Sequence, residues 1–398
     1  MPASDALNIP EANGGGHVGW HKHGLGQHPS EPTGELPLEA WLVALAVLPA
    51  VGPARLRALL DIAEPEAVWE RLQVNSDKEL VAVAGSYQLF ESWRRCVREV
   101  DVALLWSLHR SQDIGVAALG TPSYPQVLAA DIEPPVVLFH QGDLSAIAGP
   151  CVAIVGTRRC TRYGSEVAFD LGRDLAKAGV GVVSGLALGI DAAAHAGALE
   201  AAAKPPIGVV GSGLDQVYPE RNRSLWRAVA EAGVLLGEAP LGAAPERWRF
   251  PARNRIIAAL VDVVVVVESH AKGGSMHTVT EALKRDKYVM AVPGPVRSSA
   301  SNGCIELLAD GGAPCRDAGD VLLALGVSLP ETPKLDYRPQ PNTIGQQVLD
   351  ALGWQPADAE QIQARSGLVM TQVACAIEEL RAAGWVAVSG RWIEQVAP

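Results

Sequence analysis

The sequence has few of the features that mark secreted, zinc-binding and membrane-spanning proteins. Its 398 residues include only six cysteines, and no two of them have the C-x-x-C spacing of a zinc or redox motif. Scattered cysteines favour reduced thiols. No stretch reaches the ~18 consecutive apolar residues of a membrane span, and no basic segment followed by an apolar core opens the chain. We therefore expect a cytoplasmic protein without a signal peptide, a metal site or a membrane partner.

The G-x-G-x-x-G pattern of a dinucleotide-binding turn is also missing. The β-branched run at 152–155 leads into Gly156, Thr157, Arg158 and Arg159. Such bulky side chains would keep a pyrophosphate away from the backbone, so we expect no nicotinamide and no other cofactor. Parallel sheets bind anions where strand ends meet helix N-termini. Two arginines on this turn predict a phosphate-rich ligand, and the alternative is that they only solvate a loop.

The negative charge of the chain is unevenly distributed. The formal net charge is −11. Residues 151–300 hold 18 lysines and arginines against 14 aspartates and glutamates, whereas the rest of the chain holds 15 against 30. Local potential, rather than the whole-chain sum, governs polyanion binding. A mildly basic central domain between acidic flanks is therefore compatible with a nucleic-acid ligand.

The central part of the chain alternates short apolar runs with helical patterns. The runs lie at 152–155, 180–183, 207–210, 233–236, 263–267 and 288–292. Each run ends in a turn, and most are followed by an amphipathic stretch, which is typical of a parallel sheet with helices on both faces. The fold class is therefore α/β, with a Rossmann-like, doubly wound parallel sheet.

Smaller domains are predicted on both sides of the sheet. Residues 37–115 are helical, and the turn at 49–53 resembles a helix-hairpin-helix in which Ala50 replaces the usual first glycine. Three helical patterns and a two-strand hairpin near the end of the chain indicate a winged helix. Its third helix carries Glu378 and Glu379 against Arg381, whereas helices that read a DNA groove are usually basic or amide-rich. The predicted segments are a disordered tail (1–36), a SAM or helix-hairpin-helix-like domain (37–115), the Rossmann-like domain (116–328), a linker (329–341) and a winged helix (342–398).

The tail contains four histidines, at positions 17, 21, 23 and 28. These side chains are able to bind a metal, but nothing near them would fix their geometry. A flexible tail is the interpretation that we favour.

Six motifs in a fixed order resemble the DNA processing protein A family, also called DprA/Smf. Their agreement in spacing extends over some 160 residues and is far more specific than any single glycine loop. The motifs are IVGTRRCTRYG (154–164), VVSGLALGIDAAAHAGAL (182–199), VVGSGLDQVYPERN (209–222), FPARNRIIAAL (250–260), VVVVESHAKGGSMHT (263–278) and AVPGPVRSSASNGCIELLADGGAP (291–314).

The resemblance implies a non-catalytic protein that binds and protects single-stranded DNA. Members of the family dimerise through the Rossmann-like domain and help to load the RecA recombinase during natural transformation. The chain departs from the family pattern at His277, where an apolar residue is usual, and at Glu220, where some relatives have lysine. A basic contact at Glu220 is therefore lost or moved to Arg221.

The residue types alone also suit single strands, which require cations, backbone amides and stacking faces. Internal salt bridges compete with phosphate contact for Arg253 and Arg255, and core packing is slightly favoured over base stacking for Trp248 and Phe250. The predicted DNA-binding residues are Gly156, Thr157, Arg158, Arg159, Ser184, Gly185, Gly211, Gly213, Arg221, Arg253, Asn254, Arg255, Lys272, Gly274, Ser275 and Thr278.

Two other functions remain open. Residues 273–281 are similar to the glycine loop of nucleotide phosphoribohydrolases, with Glu281 at the spacing of their catalytic glutamate. Asp191 and His195 are a conceivable acid–base pair, although residues four apart on a helix are ordinarily a surface pair. The third possibility is an adaptor that binds proteins through its acidic flanks and has lost its affinity for DNA.

Overall fold

The computed structural model describes residues 35–74, 77–327, 338–354 and 356–396. It divides into two compact units, Met1–Ser328 and Leu329–Pro398. Most of the predicted tail and most of the predicted linker lie outside the described residues.

The first unit begins with six helices. They are α1 (Leu38–Ala46), α2 (Pro53–Leu60), α3 (Pro65–Gln73), α4 (Lys78–Ala84), α5 (Tyr87–Glu99) and α6 (Val102–Ser111). Prolines open α2 and α3, where their missing N–H costs no hydrogen bond. The side chains of Asp77, Ser86 and Asp101 accept hydrogen bonds from the first-turn amides of α4, α5 and α6.

Within the described residues, nine strands form one sheet in the order β1-β2-β6-β5-β4-β3-β7-β8-β9. Seven of them, from β6 to β9, run parallel, and β1 and β2 add an antiparallel edge. The strands are β1 (Gly115–Ala118), β2 (Val137–Gly142), β3 (Cys151–Val155), β4 (Gly181–Ser184), β5 (Ile207–Val209), β6 (Val234–Gly237), β7 (Val263–Val266), β8 (Tyr288–Ala291) and β9 (Ala313–Pro314). The α/β class with a mostly parallel sheet is confirmed, whereas the antiparallel edge was not predicted.

Helices cover both faces of this sheet. They are α7 (Gln126–Ala129), α8 (Arg162–Lys177), α9 (Ile190–Ala201), α10 (Arg223–Ala232), α11 (Arg249–Leu260), α12 (Ser275–Leu283), α13 (Asn302–Ala309) and α14 (Ala318–Ala324), with 3-10 turns at Leu144–Ile147, Glu220–Asn222 and Ser299–Ser301. Each face of the sheet has its own hydrophobic core, and alternate residues of β3 belong to different cores. Val152 and Ile154 pack with α8, α9 and α14. Ala153 and Val155 pack with α7, α11, α12 and α13.

The six N-terminal helices share one hydrophobic core with the edge of the sheet. Phe90 and Trp93 of α5 belong to the same buried cluster as Phe139 of β2, Trp226 of α10 and Leu235 of β6. Trp93 also donates its indole N–H to the Pro49 carbonyl oxygen at 2.7 Å. The N-terminal helices therefore fold as part of the first unit.

The strand order places a crevice beside β3. From β3 the chain continues to β4 and β5 on one side, and β7 and β8 are added later on the other side, so the direction of strand addition reverses at β3. In open α/β sheets, ligands bind outside the carboxyl ends of the strands at such a reversal. The loops that follow β3, β4, β5 and β7 are therefore the place to look for a site.

The second unit contains three helices and a hairpin around its own core. The elements are α15 (Thr343–Leu352), α16 (Ala359–Ser366), α17 (Met370–Ala382), β10 (Val386–Ser389) and β11 (Trp392–Gln395). Val348, Ile362, Val373 and Ile393 are buried against one another. The elements have the types and the order that were predicted, whereas the assignment as a winged helix stays a prediction.

Candidate nucleic-acid interface

The N-terminus of α8 already holds one of the protein's own carboxylates. Glu268, which follows β7, is 2% exposed. Its two oxygens accept hydrogen bonds from Thr161, from the backbone N–H at 2.8 Å and from Oγ1 at 2.7 Å. A Cβ on Gly164 would lie 2.4 Å from Glu268 Oε2. Glu268 therefore occupies the space beside Gly164 and takes the two Thr161 donors, which argues against a ligand phosphate at this helix N-terminus.

The arginine loop, residues 156–159, is held from below by the same segment. Thr157 N–H donates to the Glu268 carbonyl oxygen at 2.7 Å. Gly156 is needed here, since a Cβ would lie 2.6 Å from that oxygen and 2.6 Å from a carbon of Ile190. Arg158 and Arg159 follow this fixed backbone segment, and both are exposed. The loop therefore directs two cations outward from a fixed backbone.

The glycine loop, residues 184–189, lies beside the arginine loop and is held by buried polar groups. Ser184 Oγ donates to the Ile154 carbonyl oxygen at 2.6 Å, and Gly185 N–H donates to Asp191 Oδ2 at 3.1 Å. Asn222 Nδ2 donates to the Leu186 carbonyl oxygen at 2.8 Å. Leu186 is buried although its φ is +54°, a strained value for a branched side chain. The bonds on both sides of Leu186 hold the loop in this conformation.

Asp191 and His195 of α9 are not a surface pair. Their exposed fractions are 7% and 0%, because α9 packs against both α8 and the sheet. The two helices approach so closely that a Cβ on Gly197 would meet the Phe169 carbonyl oxygen. Burial raises the pKa of Asp191 against the opposing effect of Arg253, and burial lowers the pKa of His195 to about 4. Asp191 therefore organises the glycine loop, and His195 is a neutral core residue.

Arg253 forms the floor between the two loops. Its guanidinium is 7% exposed and donates from Nη1 to the carbonyl oxygens of Gly185 and Val209. Burial lowers the pKa of Arg253 to about 10, Asp191 opposes that effect, and Arg158 adds to it. The group remains a cation at neutral pH. A largely desolvated cation with a second arginine beside it attracts an anion strongly.

These residues line a surface pocket, which we call the arginine pocket. Arg158 lies over the ring of Phe250, with its guanidinium carbon 5.4 Å from the ring centroid. The rings of Tyr218 and Phe250 are 5.4 Å apart and tilted by 44°. The remaining lining residues are Gly185, Ala187, Leu188, Pro219 and Arg253. The arrangement combines cations for a phosphate with aromatic faces for a base.

The preference for core packing of Trp248 and Phe250 is wrong. Trp248 is 46% exposed, and its ring packs on Gly52, where a Cβ would lie 3.3 Å from the indole. Phe250 is partly exposed and lines the arginine pocket. Both rings precede or open α11, so they project beyond the carboxyl ends of the strands instead of into the core.

The comparisons with known proteins decide the family. The family model described as DNA recombination-mediator protein A matches residues 115–326, which include the whole nine-stranded sheet. The chain belongs to the DprA/Smf family. The DNA processing protein DprA of Bacillus subtilis is 37% identical over 54% of this chain and 72% of its own length. Protein Smf of Escherichia coli is 30% identical over 88% of this chain and 93% of its own length.

A solved structure extends the likeness to the fold. The crystal structure of DNA processing protein A from Streptococcus pneumoniae has 28% sequence identity to this chain and a TM-score of 0.58. The match covers 72% of this chain and 96% of that one. The arginine pocket lies inside the region that the DprA/Smf family model matches.

Arg255 belongs to the quoted motif at 250–260, but its side chain does not reach the arginine pocket. Its Nη2 donates to Glu238 Oε2 at 2.5 Å, and its Nη1 donates to the Glu133 carbonyl oxygen at 2.6 Å. The side chain is 7% exposed. Of the two open interpretations, the structure supports the internal salt bridge for Arg255. Arg253 instead combines internal hydrogen bonds with a place in the pocket wall.

The loop after β7 borders the crevice at another point. Asn254 Nδ2 donates to the Gly274 carbonyl oxygen at 3.5 Å, and Ser275 Oγ donates to Ser269 Oγ at 2.8 Å. Thr278 is buried, whereas Lys272 is exposed. These predicted residues therefore form a neighbouring rim, and they do not line the arginine pocket. His277 is exposed on α12, which explains how a polar residue is tolerated in its usually apolar slot.

The remaining predicted residues lie around the end of β5. Gly211 lines a second cavity, described below. Gly213 N–H donates to the Ala243 carbonyl oxygen at 2.9 Å, and this bond removes its amide from a ligand. Arg221 is exposed two residues after Pro219 of the pocket wall. Only Arg221 of these three is placed to extend the positive surface.

Sequence reasoning missed three residues that shape the site, Tyr218, Asn222 and Glu268, and it gave Asp191 a different role. Tyr218 and Asn222 were inside a quoted motif, but nothing in their spacing showed that they face the glycine loop. Glu268 ends an apolar run, where a carboxylate is a signal because a buried charge requires partners. Of the described residues, no group of three or more His, Cys, Asp or Glu side chains is placed to hold a metal ion, and no described helix is long and apolar enough to cross a membrane.

Proposed function

We propose that this protein binds single-stranded DNA through the arginine pocket and carries out no catalysis there. The observation that supports the proposal most directly is the stack of Arg158 on Phe250 above the buried Arg253. Single-strand binders combine a positive track with aromatic faces on which bases stack. The pocket offers both within one set of contacts.

The shape of the pocket favours single strands over duplex. The pocket is a surface hollow in which the rings of Tyr218 and Phe250 lie beside Arg158, so an unstacked base of a single strand has direct access to them. The bases of a duplex are stacked and paired, and extracting one costs energy. The arginines contact phosphates, and the aromatic rings contact the faces of bases. Neither contact reads base edges, so the pocket discriminates little between base sequences.

The family membership suggests the biological role. We propose that the chain takes part in DNA processing, protecting incoming single strands and helping to load the RecA recombinase in natural transformation and DNA recombination. The setting is the cytoplasm, and the active form is a homodimer. These proposals rest on the resemblance of the quoted motifs and on the named relatives.

The two smaller regions are proposed as supporting domains. The turn between α1 and α2 places Ala50 at a φ of +55°, a conformation in which glycine is usual, and this agrees with a degenerate helix-hairpin-helix. In the C-terminal unit, Arg381 Nη2 donates to Glu378 Oε2 at 2.7 Å. Since Glu378 neutralises this cation of α17, we propose that the winged helix contacts a protein rather than a DNA groove.

The enzymatic alternative depends on Glu281, whose carboxylate is already bonded. Glu281 accepts from Lys284 Nζ at 2.8 Å and from Arg285 Nη1 at 2.6 Å. Arg285 is also paired with Asp131 at 2.8 Å. Burial raises the pKa of Glu281, but the hydrogen bonds to Lys284 and Arg285 outweigh this effect and lower it overall. An ionised glutamate held in a salt-bridge network is poorly suited to proton transfer, which supports the non-catalytic proposal.

A binding titration separates the three functions. A labelled single-stranded oligonucleotide and its duplex are titrated at low salt, and nucleoside monophosphates are incubated with the protein and assayed for free base. We expect tight single-strand binding, weaker duplex binding and no free base. Release of free base would establish the enzyme, and no binding at low salt would support the adaptor instead.

A further inference from the structure

A second cavity lies beneath the turn between α1 and α2. It opens to solvent and is lined by residues of α2, α11 and the sheet. Val51, Gly52 and Leu56 of the N-terminal helices form one side, and the segments after β5 and β6 form the other. We call it the Glu238 cavity, because Glu238 is the acidic residue that lines it. All of these residues belong to the first unit.

The Glu238 carboxylate has one oxygen to spare. The Glu238 side chain is 12% exposed, and Oε2 accepts the 2.5 Å hydrogen bond from Arg255. Oε1 has no hydrogen-bond partner among the residues that the structure describes, although the carboxylate lines the cavity. A ligand with an N–H donor would therefore gain a bond that the protein alone does not make.

The walls of the cavity suit a flat ring. The Trp248 indole stands at the entrance, half-exposed and packed on the bare backbone of Gly52. Gly211 offers a second wall without a side chain, where a Cβ would come within 3.3 Å of Phe250. The cavity is mostly apolar elsewhere. Flat apolar walls with one partly buried carboxylate match a nucleobase whose N–H edge faces Glu238.

The two cavities lie on either side of the first turn of α11. Arg253 lines both of them. Trp248 and Arg249 border the Glu238 cavity, and Phe250 borders the arginine pocket. Arg249 also lies over the Trp248 ring, 4.5 Å from its centroid. A DNA strand that is bound at Arg158 and Phe250 would therefore contact Arg249 and the Trp248 ring before it reaches the Glu238 cavity.

We propose that the Glu238 cavity is a second nucleobase subsite, in which Glu238 accepts hydrogen bonds from the N1–H and N2–H edge of a guanine in the bound strand. The proposal rests on the proposed function. Guanine places two adjacent donors on one edge, whereas thymine flanks its single N–H with two carbonyl oxygens that repel a carboxylate. The subsite adds base preference at one position to an otherwise sequence-tolerant site.

The charge of Glu238 gives the preference a pH dependence. Burial raises the pKa of Glu238 to about 7, against the opposing effect of Arg255. The other charged groups that act on it are Glu133 in the loop before β2 and Arg57 of α2, and Tyr124 is the nearby titratable hydroxyl. Since only the ionised carboxylate is a full acceptor, the guanine preference grows as the pH rises from 6 to 8.

The test uses the full chain and oligothymidylates in which one guanine is placed at successive positions. We expect one position to bind about tenfold more tightly than oligothymidylate, the size of discrimination that a good base-edge contact supplies. Inosine at that position, which lacks the N2 amino group, should recover only part of the gain. Equal affinity at every position would overturn the proposal.

Two variants locate the effect. In Glu238→Gln the amide oxygen accepts from Arg255 and the NH₂ group faces the cavity, so the guanine gain should disappear; the exposed Glu231→Gln is the matched control. Ala252→Phe fills the cavity from α11 and should also remove the gain while oligothymidylate affinity is kept. A folded variant of either kind that retains the full guanine gain would contradict the subsite.

A free nucleotide distinguishes the source of the base. Deoxyguanosine monophosphate should bind far more weakly than the guanine-containing strand, because the subsite draws on the contacts of the arginine pocket. Glu238-dependent binding of the mononucleotide without any positional effect in strands would assign the cavity to a free nucleotide and overturn the strand subsite. Loss of binding to every oligonucleotide would overturn the proposed function itself.

Discussion

The N-terminus of α8 and the arginine pocket lie on opposite sides of the arginine loop, and they treat negative charge in opposite ways. At α8 the protein supplies its own anion, and Glu268 takes the Thr161 donors. In the arginine pocket two guanidiniums lie together, and Asp191 offsets them only in part. We call the α8 N-terminus the closed site, because Glu268 occupies it, and we call the arginine pocket the open site, because its guanidiniums line a surface pocket. A strand–turn–helix pattern thus locates a crevice without showing which of its donors remain free.

The largest effect is expected from reversing the charge in the open site. Arg158→Glu removes a cation and places a carboxylate over Phe250 and beside Arg253. We expect single-strand affinity to fall by about 30- to 100-fold, since hydrogen bonds to charged groups contribute about 1.5–3 kcal/mol. Fluorescence anisotropy measures the change. Arg162→Glu, an exposed reversal on α8, is the control and should have a small effect. Equal losses in the two variants would show that only long-range charge matters.

The next effect comes from opening the closed site. Glu268→Ala leaves the two Thr161 donors without their carboxylate, so unfolding free energy should fall by about 1–3 kcal/mol. Phosphate should then raise the melting temperature of the variant more than that of the unchanged protein, because the α8 N-terminus has become an anion site. Glu166→Ala, which removes an exposed carboxylate, is the control. If phosphate stabilises all three proteins equally, Glu268 does not occupy the anion site.

The difference between the two sites also shows what the sequence was able to predict. Apolar runs placed the strands correctly, because buried parallel strands are β-branched and short. Arg158, Gly185 and Arg253 were predicted from their turns and motif, and they do line one pocket. Arg255 was predicted beside them, but it lies two residues after Arg253 on α11, so its side chain faces Glu238 instead. Glu268 and Tyr218 belong to distant segments, and only the folded chain shows what they face.

A smaller effect should follow from removing the aromatic face of the pocket. Phe250→Ala eliminates the ring that lies under Arg158 and beside Tyr218. We expect affinity to fall by about fivefold, near the lower limit of about 1 kcal/mol for base stacking. The exposed Tyr87→Ala on α5 is the matched aromatic control. If Phe250→Ala binds as tightly as the control, the contact with DNA is electrostatic alone.

The smallest effect is expected from removing residues 341–398. The second unit has its own hydrophobic core, and Glu378 neutralises Arg381 of α17. The remaining chain should stay folded and bind single strands within about twofold of the full chain, because surface changes away from a site have small effects. Circular dichroism checks the fold, and the same anisotropy titration checks the affinity. A folded truncation that no longer binds would show that the C-terminal unit carries the interface.

The salt dependence of single-strand affinity tests the open, cationic pocket most directly. Each neutralised phosphate contributes about −0.7 to the slope of log affinity against log salt. With roughly three to five phosphate contacts, the slope should be about −2 to −3.5 per protomer, and a strand long enough to cross both pockets of a dimer should double it. Oligonucleotides of increasing length, of several base sequences, are titrated at a series of salt concentrations. We predict a steep slope that depends on length and hardly on sequence outside one guanine-preferring position. A flat salt response would contradict the account.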